Sequence, residues 1–166
     1  MTRIRNAAVA VTAAALLGGG LLASGTATAA GHPADPGDVW YTFQNFSTDR
    51  NLDAYGGTHA RSYSPDGTMD QEFRLVTGKH PGYQVASKRH ANMCFTAKGI
   101  NKEITLESCN SNLQSQYWNY DIKDSGSSFQ SRKFPQGCIQ DNGTANAVVL
   151  RACNGGDLQR YLPLVV

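Results

Sequence analysis

The sequence predicts an all-β domain built from three copies of one unit of about 43 residues. Three observations carry this. A Gln-x-aromatic triplet recurs at a near-constant period, as Gln71-Glu72-Phe73, Gln116-Tyr117-Trp118 and Gln159-Arg160-Tyr161. The four cysteines form two pairs of equal spacing, Cys94 with Cys109 and Cys138 with Cys153. The chain between these landmarks has short apolar runs, Gly-rich turns ("YGG", "PDG", "NGG") and no helical period.

The N-terminus stands apart from the repeats. Arg3 and Arg5 precede an uncharged run of apolar and small residues, and Ala27-Thr28-Ala29 has the small-x-small form of a cleavage site. This predicts a secretory signal peptide over 1–29, with a flexible segment over 30–37 and the folded domain over 38–166. The run is interrupted by Gly18-Gly19-Gly20, which argues against a membrane anchor, so no membrane span is expected in the mature chain. The 15 Lys and Arg include Arg3 and Arg5, and all 13 Asp and Glu lie after residue 30, so the mature chain is formally neutral. No basic surface for nucleic acid is indicated; Lys88-Arg89-His90 reads as a solvated turn.

Each unit, about 38–82, 83–127 and 128–166, opens on an apolar strand: "WYTF" at 40–43, "YQVA" at 83–86 and "SFQS" at 128–131. The first Cys position follows about ten residues later and holds Asn51, Cys94 or Cys138. A core side chain comes next: Leu52, Phe95 or Ile139. The second Cys position is expected at Asp66, Cys109 and Cys153, with a large residue three places earlier: Tyr63, Leu106 or Leu150. In an exported chain an even cysteine count suggests disulfides, and the repeated spacing argues for two local bridges. Zinc is the competing use, but neither CxxC knuckles nor His at ligand spacing is present.

A unit of this size cannot bury its apolar face alone, so three units should share one core about a pseudo-threefold axis. Phe73, Trp118 and Tyr161 are then core residues. Gln71, Gln116 and Gln159 lie two residues back on the same face, where a buried amide must bond a turn backbone.

The three Gln-x-Trp-like triplets, the Cys pairs and the string "NLD…YGG…DG…DQEF" together resemble the ricin-B-type β-trefoil lectins, over essentially the whole mature chain. The resemblance implies a β-trefoil: a six-stranded barrel capped by three hairpins. It also implies carbohydrate binding, commonly galactose-type, in up to three shallow sites. The family's usual site has an Asp two residues after the first Cys position, an aromatic two before the second, and an Asn before the Gln. Unit one offers Asp53, Ser64 and Asp70; unit two Thr96, Glu107 and Ser115; unit three Gln140, Arg151 and Leu158. Only unit one keeps the Asp, and no unit keeps the aromatic in place. A one-residue register shift in unit one would turn Tyr63 from core to surface and assemble Asp53, Tyr63, Asp70 and Gln71 as a sugar site.

No nucleophile elbow, HExxH, phosphate loop or Gly-x-Gly-x-x-Gly is present. The expectation is therefore a secreted, non-catalytic carbohydrate-binding protein without a cofactor or metal. A second reading is a trefoil with degenerate sugar sites, serving as the protein-binding or assembly subunit of a secreted enzyme or toxin. A protease inhibitor ranks last, because that trefoil family lacks the Gln-x-Trp triplet. Asn45-Phe46-Ser47 and Asn142-Gly143-Thr144 fit the glycosylation pattern.

Overall fold

Twelve short antiparallel strands, four from each unit, build the described chain, residues 39–166 of a computed structural model. The expected signal peptide and N-terminal segment lie outside the described residues. Unit one supplies β1 (Trp40–Asn45), β2 (Asn51–Asp53), β3 (Arg61–Tyr63) and β4 (Phe73–Val76). Unit two supplies β5 (Tyr83–Ser87), β6 (Met93–Ala97), β7 (Ile104–Ser108) and β8 (Tyr117–Asn119). Unit three supplies β9 (Gln130–Ser131), β10 (Gly137–Gln140), β11 (Val149–Ala152) and β12 (Tyr161–Val165). In each unit a 3₁₀ turn ends on the glutamine of the repeated triplet: Met69–Gln71, Gln114–Gln116 and Asp157–Gln159.

The first and last strands of each unit form the barrel in the order β12-β1-β4-β5-β8-β9. It closes through a bridge between Ser127 and Tyr161. The middle strands form three hairpins, β2–β3, β6–β7 and β10–β11. This is a β-trefoil. The units join tightly at Gly82 and Gly126, which have positive φ and sit where a Cβ would strike the Trp118 or Tyr161 carbonyl oxygen at 2.5 or 2.8 Å. Only glycine relieves both constraints.

Side chains related by the threefold axis fill the core in layers. Phe43 and Val85 come from the opening strands β1 and β5, Phe129 from the residue just before β9, and Leu52, Phe95 and Ile139 from the hairpins. Phe73, Trp118 and Tyr161 are fully buried, as the Gln-x-aromatic pattern predicts. Phe43 meets Phe129 edge-on at 4.9 Å, and Phe73 meets Phe95 at 4.9 Å. The hairpins are tied in a ring of backbone bonds: Ala60 N donates to Ile104 O, Ile104 N to Val148 O, and Val148 N to Ala60 O, at 2.9, 3.0 and 2.9 Å. Cys94–Cys109 and Cys138–Cys153 are both bonded, with Cα atoms 5.0 Å apart in each. In the chain-entropy picture a bridge over a loop of this length stabilises by about 3 kcal/mol.

Unit one departs from the expected spacing. β2 and β3 pair Leu52 with Ser62, whereas Phe95 faces Leu106 and Ile139 faces Leu150. Ser62, not Tyr63, therefore holds the core place of the leucines, and it is fully buried while Tyr63 is 44% exposed. Pro65, not Asp66, stands at the second Cys position. Asp66 matches Asn110 and Asn154, because each caps its turn by accepting a backbone N–H two residues on, from Thr68, Asn112 and Gly156. Unit one has one residue fewer between the two positions, lost from the turn between β2 and β3, so Tyr63 takes the outward register place of Glu107 and Arg151.

With Ala60 and Ser62 in place of larger residues, unit one is held to unit three by polar contacts. Arg50 donates to both carboxylate oxygens of Asp141, from Nε at 3.2 Å and Nη2 at 3.1 Å, and to Ser62 Oγ at 3.3 Å. Thr48 Oγ1 and Gly143 N also donate to Asp141. Burial would raise the Asp141 carboxyl, but these donors together outweigh it and hold the group below the ordinary carboxylate range. Of the two glycosylation patterns, Asn45 is fully buried and donates Nδ2 to Leu158 O at 2.9 Å, whereas Asn142 is exposed.

Two stability predictions follow from this packing. Trp118→Ala should cost about 3–5 kcal/mol, read as a large fall in the thermal midpoint; an unchanged midpoint would contradict its burial. Asp141→Asn should cost about 3–5 kcal/mol at neutral pH, since it leaves Arg50 facing an uncharged group in a largely buried site. The carboxyl is depressed in the fold, so its stabilisation is complete above the unfolded value of about 3.9 and is lost as pH falls through the folded one. Melts from pH 7 to 2 should show that acid limb in the wild type and a flatter one in the variant.

Candidate functional site

The outward place of Tyr63 puts its side chain in a cleft on unit one. Its volume is about 410 Å³, and it is lined by Asp53, Tyr55, Arg61, Tyr63, Asp66, Thr68 and Asp70. Asp53 ends β2, while Arg61 and Tyr63 lie on β3 and project from the paired hairpin. Tyr55 stands in the turn between them, 65% exposed. Asp66 and Thr68 come from the following loop, and Asp70 from the 3₁₀ turn.

Asp53 is buried at the base. Its Oδ1 accepts the Tyr55 N–H at 2.6 Å, and its Oδ2 accepts the Gln71 amide at 3.3 Å. Burial pushes this carboxyl above its ordinary range; the charges of Asp70 and Asp66 add to the rise, and the two hydrogen bonds oppose it. Gln71 lies beneath the cleft, fully buried. Its Nε2 also donates to Ser64 O at 2.8 Å, and its Oε1 accepts from Asn51 Nδ2 at 2.8 Å and Asp66 N at 3.3 Å. Every polar atom of that amide is used by the protein, so Gln71 acts by orienting Asp53.

The other two residues named from sequence reach the cleft directly. Tyr63 presents its ring on one wall. Asp70 lines the opposite loop, where His90 Nε2 lies 3.6 Å from its Oδ1. Four lining residues, Tyr55, Arg61, Asp66 and Thr68, were not named as site residues from the sequence. Tyr55 was visible only as part of "YGG", and Arg61 carried no motif. The Arg61 guanidinium sits 5.8 Å from the Tyr55 ring centroid and braces that exposed ring.

Units two and three place different chemistry at the same positions. Glu107 replaces Tyr63 in unit two and pairs with Lys98. Arg151 replaces it in unit three and donates to Asn101 Oδ1 at 2.7 Å. Thr96 and Gln140 replace Asp53, and each accepts from the glutamine of its unit, at 3.0 and 3.1 Å. The buried clamp recurs three times, while the carboxylate and exposed tyrosines occur together in unit one. Among the described residues no three His, Cys, Asp or Glu side chains are placed to share a metal ion.

No family model and no curated protein sequence matches the chain. Solved structures do match. A designed three-fold symmetric protein, ThreeFoil, aligns with a TM-score of 0.68 at 17% identity, over 80% of this chain and 100% of that one. The C-half of an earthworm R-type lectin, solved in complex with GalNAc, aligns at 0.60 with 11% identity, over 77% and 99%. The hemolytic lectin CEL-III aligns at 0.59 with 21% identity, over 77% of this chain and 31% of that one. Several other matches are likewise larger proteins, of which this chain spans 16% to 32%. At these identities the likeness bears on architecture, and together with the strand order and the three repeated glutamine clamps it establishes that the chain has the β-trefoil fold.

Proposed function

We propose that the protein is a secreted carbohydrate-binding module that acts without catalysis, and that its sugar occupies the unit-one cleft. One observation carries the reading: a fixed carboxylate, Asp53, sits at the base of a cleft walled by two exposed tyrosine rings. A sugar ring has an apolar face, which suits Tyr63 or Tyr55, and a rim of hydroxyls, which suits a carboxylate acceptor. Asp53 already accepts two protein hydrogen bonds, so its lone pairs are aimed and it works as a fixed acceptor rather than a mobile proton donor. Two disulfides favour an oxidising compartment. The lectins among the solved matches, one of them holding GalNAc, support the carbohydrate class and make galactose-type sugars the first to try.

The second reading, a protein-binding or assembly subunit, draws on units two and three. Their equivalent positions carry the Glu107–Lys98 and Arg151–Asn101 pairs, which give a sugar no aromatic wall. A glycan array on the protein separates the two. Binding to a defined set of sugars supports the first; silence across an array that includes galactose and GalNAc rejects it in favour of the second.

Two outcomes are expected with whichever glycan the array selects. Asp53→Asn should weaken affinity about tenfold or more, since a hydrogen bond to a charged group is worth about 1.5–3 kcal/mol, and Tyr63→Ala should weaken it by a smaller factor, since an aromatic contact is worth about 0.5–1.5 kcal/mol. Tyr63→Ala should change stability by less than about 0.5 kcal/mol, because its ring is exposed. Equal affinity in both variants would place the sugar elsewhere. Affinity should also depend on pH. Acceptance needs the charged carboxylate, so binding is full above the folded Asp53 value and falls as pH drops through it. That fall begins above the ordinary value of about 3.9, because the group is raised in the fold. Calorimetric titrations from pH 7.5 to 4 should show it in the wild type and not in Asp53→Asn.

A further inference from the structure

A second concave surface lies on the outer wall of the barrel, where β4 and β5 join units one and two. This groove, of about 310 Å³, is lined by Trp40, Arg74, Gln84 and Lys88 against the Cys94–Cys109 bridge, and no Asp or Glu lines it. Trp40 organises the cations. The Arg74 guanidinium lies 5.4 Å from its ring centroid, and the Lys88 ammonium 5.3 Å. Arg74 is exposed and makes no ion pair among the described residues. Lys88 is held by Glu72, and an ammonium with three N–H donors keeps two for another partner. Gln84 is buried and spends its N–H groups on Asn110 O and Gln116 Oε1, which leaves its own carbonyl oxygen without a protein donor.

The pseudo-threefold copy of this surface shows that the charge is not imposed by the fold. The equivalent groove runs along β8 and β9 against Cys138–Cys153. There Asn119 stands in place of Arg74, and the two cations that line the groove, Lys123 and Arg160, pair with Asp121 and Asp157. The backbone makes the groove; the side chains leave a cation, Arg74, without a carboxylate partner among the described residues in the β4–β5 copy.

We propose that the Trp40–Arg74–Lys88 groove is a second binding site, for the anionic group of an acidic saccharide, a uronate carboxylate or a sulfate ester. Arg74 and Lys88 hold the anion, the planar guanidinium offering two parallel donors. The Gln84 carbonyl accepts a ring hydroxyl, and Trp40 supplies apolar contact. The saccharide part of the assignment rests on the carbohydrate reading above; the anion part rests on the groove alone.

The chain's two tryptophans make the test direct, because Trp118 is fully buried with its indole bonded to Phe95 O while Trp40 lines the groove. The two indole N–H signals of ¹⁵N-labelled protein would be followed during titration with glucuronate, glucose 6-sulfate, glucose and sodium sulfate. The expected result is a saturable shift of the Trp40 signal with glucuronate or glucose 6-sulfate and none with glucose. Arg74→Gln should weaken that binding about tenfold or more while melting like the wild type. Asp53→Asn should leave it unchanged, so a failed glycan array at the unit-one cleft and a failed titration here are separate results. No saturable shift with either acidic sugar, or equal binding by Arg74→Gln, overturns the proposal. Sodium sulfate binding as tightly as glucose 6-sulfate would reduce the groove to a simple ion site and overturn it as well.

Discussion

The structure depends on a buried amide that must be satisfied three times. Gln71, Gln116 and Gln159 are fully excluded from water, and each lies at the junction of barrel and hairpin. Each donates to the carbonyl that ends its hairpin, Ser64 O, Ser108 O or Ala152 O, at 2.8 to 3.0 Å. Each accepts the backbone N–H that starts the next turn, from Asp66, Asn110 or Asn154. An unpaired amide at that depth would cost about 1–3 kcal/mol for each lost partner. The glutamine therefore dictates where the hairpin stops and how the chain returns to the barrel. It also fixes the residue facing its second N–H. That residue is Asp53, Thr96 or Gln140, and unit one's choice of a carboxylate is what gives the cleft its acceptor.

Much of this was legible because it rests on large residues that water rejects. The period of the Gln-x-aromatic triplet and the equal cysteine spacing located the units, the core aromatics and both bridges. The register of β3 was not legible. Tyrosine fits a core or a surface, and the gap between Asn51 and Asp66 equals the cysteine spacing, which hid the missing residue. Only the strand pairing shows that Pro65 holds the cysteine's place. Arg50 with Asp141 was equally hidden, since the partners lie 91 residues apart in different units and neither belongs to a motif. Tyr55 and Arg61 escaped because a turn tyrosine and a strand arginine acquire meaning only when a hairpin brings them beside Asp53.

Symmetry and function pull in opposite directions in such a fold. The threefold arrangement repeats the strand register, so each unit inherits the same hairpin face, and the barrel wall makes comparable grooves at two of its unit junctions. What differs is the side chain placed there. On the hairpin face the series runs Tyr63, Glu107, Arg151. On the wall it includes Arg74 beside Val76 in one groove and Asn119 beside Asp121 in another. Such changes cost little in stability, because exposed positions seldom contribute more than about 0.5 kcal/mol. The buried glutamines have no such freedom, which is why the clamp survives in units whose surfaces have diverged.

Unit one is also the unit without a disulfide, and the two facts belong together. In units two and three the bridge holds the first strand of the hairpin to the chain that follows the second, so the side chains between are locked in register. Unit one replaces the bridge with a hydrogen bond from Asn51 Nδ2 to Gln71 Oε1, 2.8 Å long, and with Pro65. A hydrogen bond tolerates a hairpin one residue shorter; a bridge with its Cα atoms 5.0 Å apart has little such latitude. The shorter hairpin keeps the register of the other two, with Ser62 on the core face and Tyr63 in the cleft. The anchoring that the bridge would have supplied is provided from unit three, by Asp141 holding Arg50 and Thr48 beneath the same hairpin. The stability of the candidate site is thus carried by a neighbouring unit, and the unit freed from its own covalent clamp is the one that assembles the carboxylate and both tyrosines.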